Sequence, residues 1–213
     1  MEIKYLLYII TLLELLAAIM ATIHFKKYRA SYEKYFLFFM WYTFLVDLTG
    51  GLIGDVFLMN NAWLYNAFII TSFLFYFNWY YTILRRSNFK KAVIAFTIIF
   101  SVVALFNLFF VSWKAYHSYT FFTGAAFLLV LTLFHFHQLL NSNEVLIVKH
   151  KLSFWISTGL LLFYMGMIPL IYLLKYIGIE HLSYLFILIS LNVILYGCYT
   201  IGFIWTKKKY NHF

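Results

Sequence analysis

Seven stretches of the chain, at 5–25, 35–58, 62–84, 92–112, 119–140, 153–174 and 182–205, are apolar almost throughout and are separated by short polar segments. Each has about the 20 residues needed to cross a ~30 Å hydrocarbon layer at ~1.5 Å per residue. In lipid a spanning backbone must satisfy its own hydrogen bonds, so each stretch is predicted to be a helix despite its many Phe, Ile and Val residues. The stretches are too long and too uniformly apolar for barrel strands, which alternate. The predicted fold class is all-α: a single integral membrane bundle of seven transmembrane helices over 1–213.

Charge sharpens this into a topology. The sequence carries 16 Lys and Arg against 7 Asp and Glu. Lys26, Lys27, Arg29 and Lys34 lie between helices 1 and 2, and Arg85, Arg86, Lys90 and Lys91 between helices 3 and 4. Lys149 and Lys151 lie between helices 5 and 6, and Lys207, Lys208 and Lys209 follow helix 7. The opposite side holds only Lys4, Lys114 and Lys175. Positive residues concentrate on the cytoplasmic side, so the N-terminus is predicted outside and the C-terminus in the cytoplasm. Trp63, Trp113 and Tyr116 then anchor outer helix ends, and Tyr32, Tyr35, Trp155 and Trp205 inner ones.

Composition excludes other classes. With 65% hydrophobic and 11% charged residues, the chain has too little polar surface for a soluble domain. The net charge of +9 belongs to the loop clusters, so no nucleic-acid partner is expected. The expected partners are the lipid bilayer and a protein at the basic cytoplasmic face or on a lateral helix surface. The leading segment is not net positive, Glu14 interrupts the first apolar run and no A-x-A-like cleavage site follows, so helix 1 is expected to be retained. The single cysteine, Cys198, has no partner for an intrachain disulfide and reads as a small core- or lipid-facing side chain.

Candidate chemistry comes from ionisable groups inside the spans, which are costly in lipid. Glu14 lies about nine residues into helix 1 and Asp47 about twelve into helix 2, which places both near the midplane at ~1.5 Å per residue. Asn192 in helix 7 has a similar depth. A ring-like bundle would gather Glu14, Asp47 and Asn192, with Tyr164 and Ser72, into a polar cluster suited to a proton, a cation or a polar headgroup. The same residues also suit plain interhelical hydrogen bonding. Asp55, near the outer end of helix 2, reads as solvated. Gly50 and Gly54 form a small-residue face for helix packing, or a locally loosened helix. Pro169 is a candidate hinge in helix 6. His135 and His137, two residues apart, point to different faces of a helix, and no metal site is expected.

The stretches KYFLFFMWYTFLVDLTGGLIG, NSNEVL, LSFWISTGLLLFYMGMIP and IGFIWTKKK resemble a group of small seven-helix membrane proteins of Flavobacterium-like bacteria. That resemblance implies a bacterial inner (cytoplasmic) membrane and carries no activity across. The seven-helix, N-out layout is also similar to that of microbial rhodopsins and G-protein-coupled receptors. Helix 7, however, has no lysine for a retinal Schiff base, and Lys175 lies at the outer edge of helix 6, so no cofactor is expected. The short loops confine chemistry to the bilayer and its faces. The expected function is a sensor or accessory subunit that couples a polar site or helix face to a separate partner. The alternative is a small-solute or proton-coupled transporter using Glu14 and Asp47. An intramembrane enzyme ranks last, because no nucleophile–base constellation is visible.

Overall fold

The computed structural model describes residues 6–142 and 145–211. Their regular structure is entirely helical: α1 Tyr8–Ile23, α2 Tyr35–Gly51, α3 Ala62–Ile83, α4 Ser87–Phe110, α5 Ser118–Leu140, α6 Leu152–Tyr172 and α7 His181–Trp205. The π-helical turns Leu52–Val56 and Leu173–Ile177 extend α2 and α6, and Gly178, at φ 78°, ends the second of them with its N–H on the Leu173 carbonyl. Residue 5 of the first predicted span, Lys4, and Asn143 and Glu144 of the NSNEVL stretch lie outside the described residues.

Among the described residues, five helical runs are long and apolar enough to cross a membrane: Tyr32–Val56, Ser87–Phe110, Ser118–Leu140, Leu152–Ile177 and His181–Trp205. They mark a multi-pass membrane protein. The other two predicted spans fall short for separate reasons. The helix α1 has 16 residues, about 24 Å at ~1.5 Å per residue. The 22-residue α3 is long enough, but Tyr65, Asn66, Asn78, Trp79, Tyr80 and Tyr81 dilute its hydropathy. On α4, Ile94, Ile98, Val102, Leu105 and Phe109 stand exposed at helical spacing. Such an apolar stripe is tolerated where the solvent is itself a hydrocarbon.

The chain forms two compact units, Met1–Phe44 with Leu139–Phe213, and Leu45–Gln138. In the first, α7 packs against α6 and α1. The face α1 buries is Glu14, Ala17, Ala18 and Ala21, one helical stripe whose small side chains admit a close neighbour. The Tyr28 ring, just past α1, packs on Phe203 of α7, and its hydroxyl donates to the Ala21 carbonyl at 2.7 Å. Phe36 of α2 meets the Tyr199 ring of α7 edge-on.

In the second unit an aromatic core joins α3, α4 and α5. Phe73 and Phe77 meet Phe100, and Phe73 also meets Phe121. Along the α4–α5 seam, Phe89 stacks on Phe134 and Phe96 on Phe127, with centroids 4.4 and 4.3 Å apart. Two polar staples hold the ends. The Asn107 amide donates to the Thr120 hydroxyl at 2.9 Å, and Gln138 both donates to the Ile83 carbonyl and accepts from the Arg85 N–H.

Candidate functional site

The first unit sets an acid in its interior. Glu14 is 5% exposed, and its Oε1 accepts a 2.7 Å hydrogen bond from the Tyr196 hydroxyl of α7. The alanines beside Glu14 on the buried stripe of α1 bring α7 near enough for that bond. Asn192 lies one turn before Tyr196 on α7 and is also buried, but its amide donates to the Leu188 carbonyl of its own helix at 2.8 Å. Tyr164 of α6 is buried, its ring edge-on to Phe163. Glu14, Asn192 and Tyr164 thus belong to one unit.

Asp47 and Ser72 belong to the other. Asp47 is half-buried on α2 and accepts from the Tyr65 hydroxyl of α3 at 3.2 Å. Tyr65 reaches it across Gly50, where an added Cβ would fall 2.5 Å from the tyrosine oxygen. The Gly50 carbonyl is itself taken by the Asn61 amide at 2.9 Å, and a Cβ at Gly54 would fall 2.9 Å from the same nitrogen. The two glycines therefore make room for side chains of the next segment. Ser72 is buried on α3, and its hydroxyl meets no hydrogen-bond partner among the described residues. Asp55 is exposed in the π turn. Pro169 sits inside α6, one turn before that helix widens into its own π turn.

No family model, curated protein or solved structure matches this chain. Its chemistry rests on its own geometry.

That geometry adds two residues that the sequence pattern passes over. Tyr196 reads there as one more core aromatic. Its four-residue spacing from Asn192, which sets both on one helix face, is the signal that marks it. Glu33 falls in a segment that reads as loop, yet it is fully buried in the turn Tyr32–Lys34. Burial opposes the charge on this carboxylate, while the neighbouring Ser31 side chain, whose hydroxyl also donates to the Tyr28 carbonyl, and the positive charge of Lys151 favour it. Lys151 is itself 3% exposed, so this end of the unit buries one acid and one base. His135 is buried between the Trp79 and Tyr80 rings, and His137 meets Phe89. Among the described residues no three His, Cys, Asp or Glu side chains gather at metal-binding distance.

Proposed function

We propose that this polytopic membrane protein is a sensor or accessory subunit whose polar site is the Glu14–Tyr196 pair, and that a separate protein carries its output. The observation behind this reading is the buried bond between α1 and α7, residues 182 apart in sequence. A carboxylate accepts a hydrogen bond more strongly than a neutral carboxyl does, so uptake of a proton by Glu14 would weaken this bond and would couple the charge of the acid to the α1–α7 contact. Transport through the Asp47 segment is the weaker reading, because the Gly50 carbonyl, which a loosened helix would offer to an ion, is already engaged by Asn61. The orientation that goes with this proposal is N-terminus outside and C-terminus in the cytoplasm, in a bacterial inner membrane, with α1 and α3 also crossing. It is supported by the thirteen basic residues that share one side of the loop alternation. Fusing a fluorescent reporter to the C-terminus should give a folded, fluorescent product; a fluorescent N-terminal fusion with a dark C-terminal one would reverse the orientation.

The site has its own test. Tyr196→Phe removes the hydroxyl and should lower stability by about 1 kcal/mol, the scale of an interhelical hydrogen bond in a membrane. Glu14→Gln keeps an acceptor for Tyr196 and should insert and unfold much as wild type does, while losing the proton equilibrium. Capture from mild-detergent membranes should then recover a stoichiometric partner with wild type and at least about fivefold less with Glu14→Gln. Equal recovery would remove Glu14 from signalling. Proton flux in reconstituted vesicles that Glu14→Gln abolishes would assign the pair to transport instead.

A further inference from the structure

At one end of the first unit, chain segments following α1, preceding α6 and following α7 enclose an open cleft of about 550 Å³. Four lysines line it, Lys27, Lys149, Lys207 and Lys208, together with His150 and the Trp205 ring. None of the described lining residues is acidic. Like charges drawn together around a small volume repel one another, and an anion between them offsets that repulsion.

The walls are held by hydrogen bonds. The His150 carbonyl accepts from the Lys207 N–H at 3.1 Å and from the Thr206 hydroxyl at 3.3 Å. The buried Asn211 donates to Thr206 Oγ1 at 2.6 Å and to the Lys27 carbonyl at 3.3 Å, and accepts from the Leu152 N–H at 3.2 Å. One asparagine therefore ties all three segments together. At the C-terminus of α7, Lys27 Nζ donates to the Ile204 carbonyl at 2.5 Å and His150 Nδ1 lies 3.2 Å from the Trp205 carbonyl. Cations at that end complement the helix dipole. Lys149, Lys207 and Lys208 are exposed and line the cleft. Partial burial lowers the Lys27 pKa from the ordinary lysine value, and a bound anion would counter that loss of solvation.

We infer that this cleft binds a phosphate group, supplied by the headgroup of an anionic phospholipid in the adjoining leaflet. The lipid source is favoured by the exposed Ile204 and Trp205, which put an apolar wall beside the ammonium groups at a helix end. Trp prefers that depth in a bilayer, and basic pockets between helix ends take phospholipid headgroups. The lipid source rests on the membrane reading given above; the anion chemistry does not, and it is independent of Glu14.

The test uses the purified full chain in an uncharged detergent, with membrane insertion scored separately on the isolated membrane fraction. Phosphatidylglycerol should raise the melting temperature of wild type saturably, and phosphatidylcholine should not. The triple variant Lys149→Gln/Lys207→Gln/Lys208→Gln should need at least about tenfold more phosphatidylglycerol for the same shift. A charge-matched control, Arg86→Gln/Lys90→Gln/Lys91→Gln, should respond like wild type. Equal loss in both triples, or no preference between the lipids, would overturn the site. Saturable stabilisation by millimolar inorganic phosphate without any lipid effect would overturn the lipid source and leave a soluble phosphate compound as occupant. If the triple variant does not purify folded, Lys207→Gln alone decides the matter by native mass spectrometry: retention of phosphatidylglycerol equal to wild type counts against the cleft. Failure of the protein to insert would instead sink the membrane reading and would be seen in the membrane fraction.

Discussion

Gly202→Ala should destabilise the protein, whereas Gly197→Ala, one and a half turns earlier on the same helix, should leave stability unchanged or raise it slightly. The two positions share a helix and a chemistry and differ in what a methyl group would meet. A Cβ at Gly202 would fall 2.7 Å from the Trp155 Cβ and 3.1 Å from Leu152 Cδ1, both on α6. Trp155 cannot easily withdraw: its indole N–H is held by the Lys149 carbonyl at 2.9 Å, and its ring meets Trp205 edge-on. The α6–α7 contact must open, and overpacking of this kind costs about 1–3 kcal/mol. A Cβ at Gly197 meets nothing within 4 Å. There the exchange keeps only the gain in helix propensity, up to about 1 kcal/mol. Gly159→Ala should fall between them, because its Cβ would lie 3.1 Å from Cys198 Cβ and 3.2 Å from the Leu195 carbonyl. Thermal unfolding in one detergent ranks the three variants. Equal effects at Gly202 and Gly197 would mean that α6 and α7 do not meet through this face.

The same glycines show where reading the sequence stops. Gly50 and Gly54 stand out in the chain because an aspartate and a second glycine accompany them, while Gly159 and Gly202 sit in unremarkable apolar runs. A close approach is a property of two helices, and one strand of sequence names only one of them. Helix positions were legible because a span must be long and apolar, and most ends fall within a few residues of the predicted ones. The exception is instructive. The predicted fourth span starts at 92, beyond Lys90 and Lys91, but α4 begins at Ser87. A helix can run on past an apolar run where its basic residues find partners: Lys90 Nζ lies 5.2 Å from the Tyr81 ring and the Arg86 guanidinium 5.5 Å from the Phe89 ring, so both cations rest on aromatic faces. In α3, Tyr65 and Asn66 lower the mean hydropathy by residue type, although their polar atoms find partners in place. At the candidate site, Glu14 was legible as an acid in an apolar run. Tyr196 and Glu33 were not, because a tyrosine in a core and a glutamate in a loop are ordinary until their burial and partners are known.

Asn66→Leu should destabilise the second unit more than the loss of a single hydrogen bond would. Asn66 is 1% exposed and uses both ends of its amide. Its Nδ2 donates to the Ala115 carbonyl at 2.8 Å, and its Oδ1 accepts from the His117 N–H at 3.0 Å. One side chain of α3 therefore satisfies two backbone groups of the α4–α5 connection. Removing it leaves the buried His117 N–H without that partner, at about 1–3 kcal/mol for a buried group, and releases the part-buried Ala115 carbonyl as well. Asn66→Asp separates hydrogen bonding from packing, because the shape is kept and only the donor changes. Ionised, the introduced carboxyl has two acceptors and sets one against the Ala115 carbonyl. Protonated, it donates through one oxygen and accepts through the other, as the amide does. The stability deficit of Asn66→Asp relative to wild type, measured at matched pH, should therefore be large near pH ~8 and shrink towards pH ~4, while that of Asn66→Leu should stay constant. A pH-independent deficit in both variants would show that Asn66 acts by filling space and not by joining α3 to the connection.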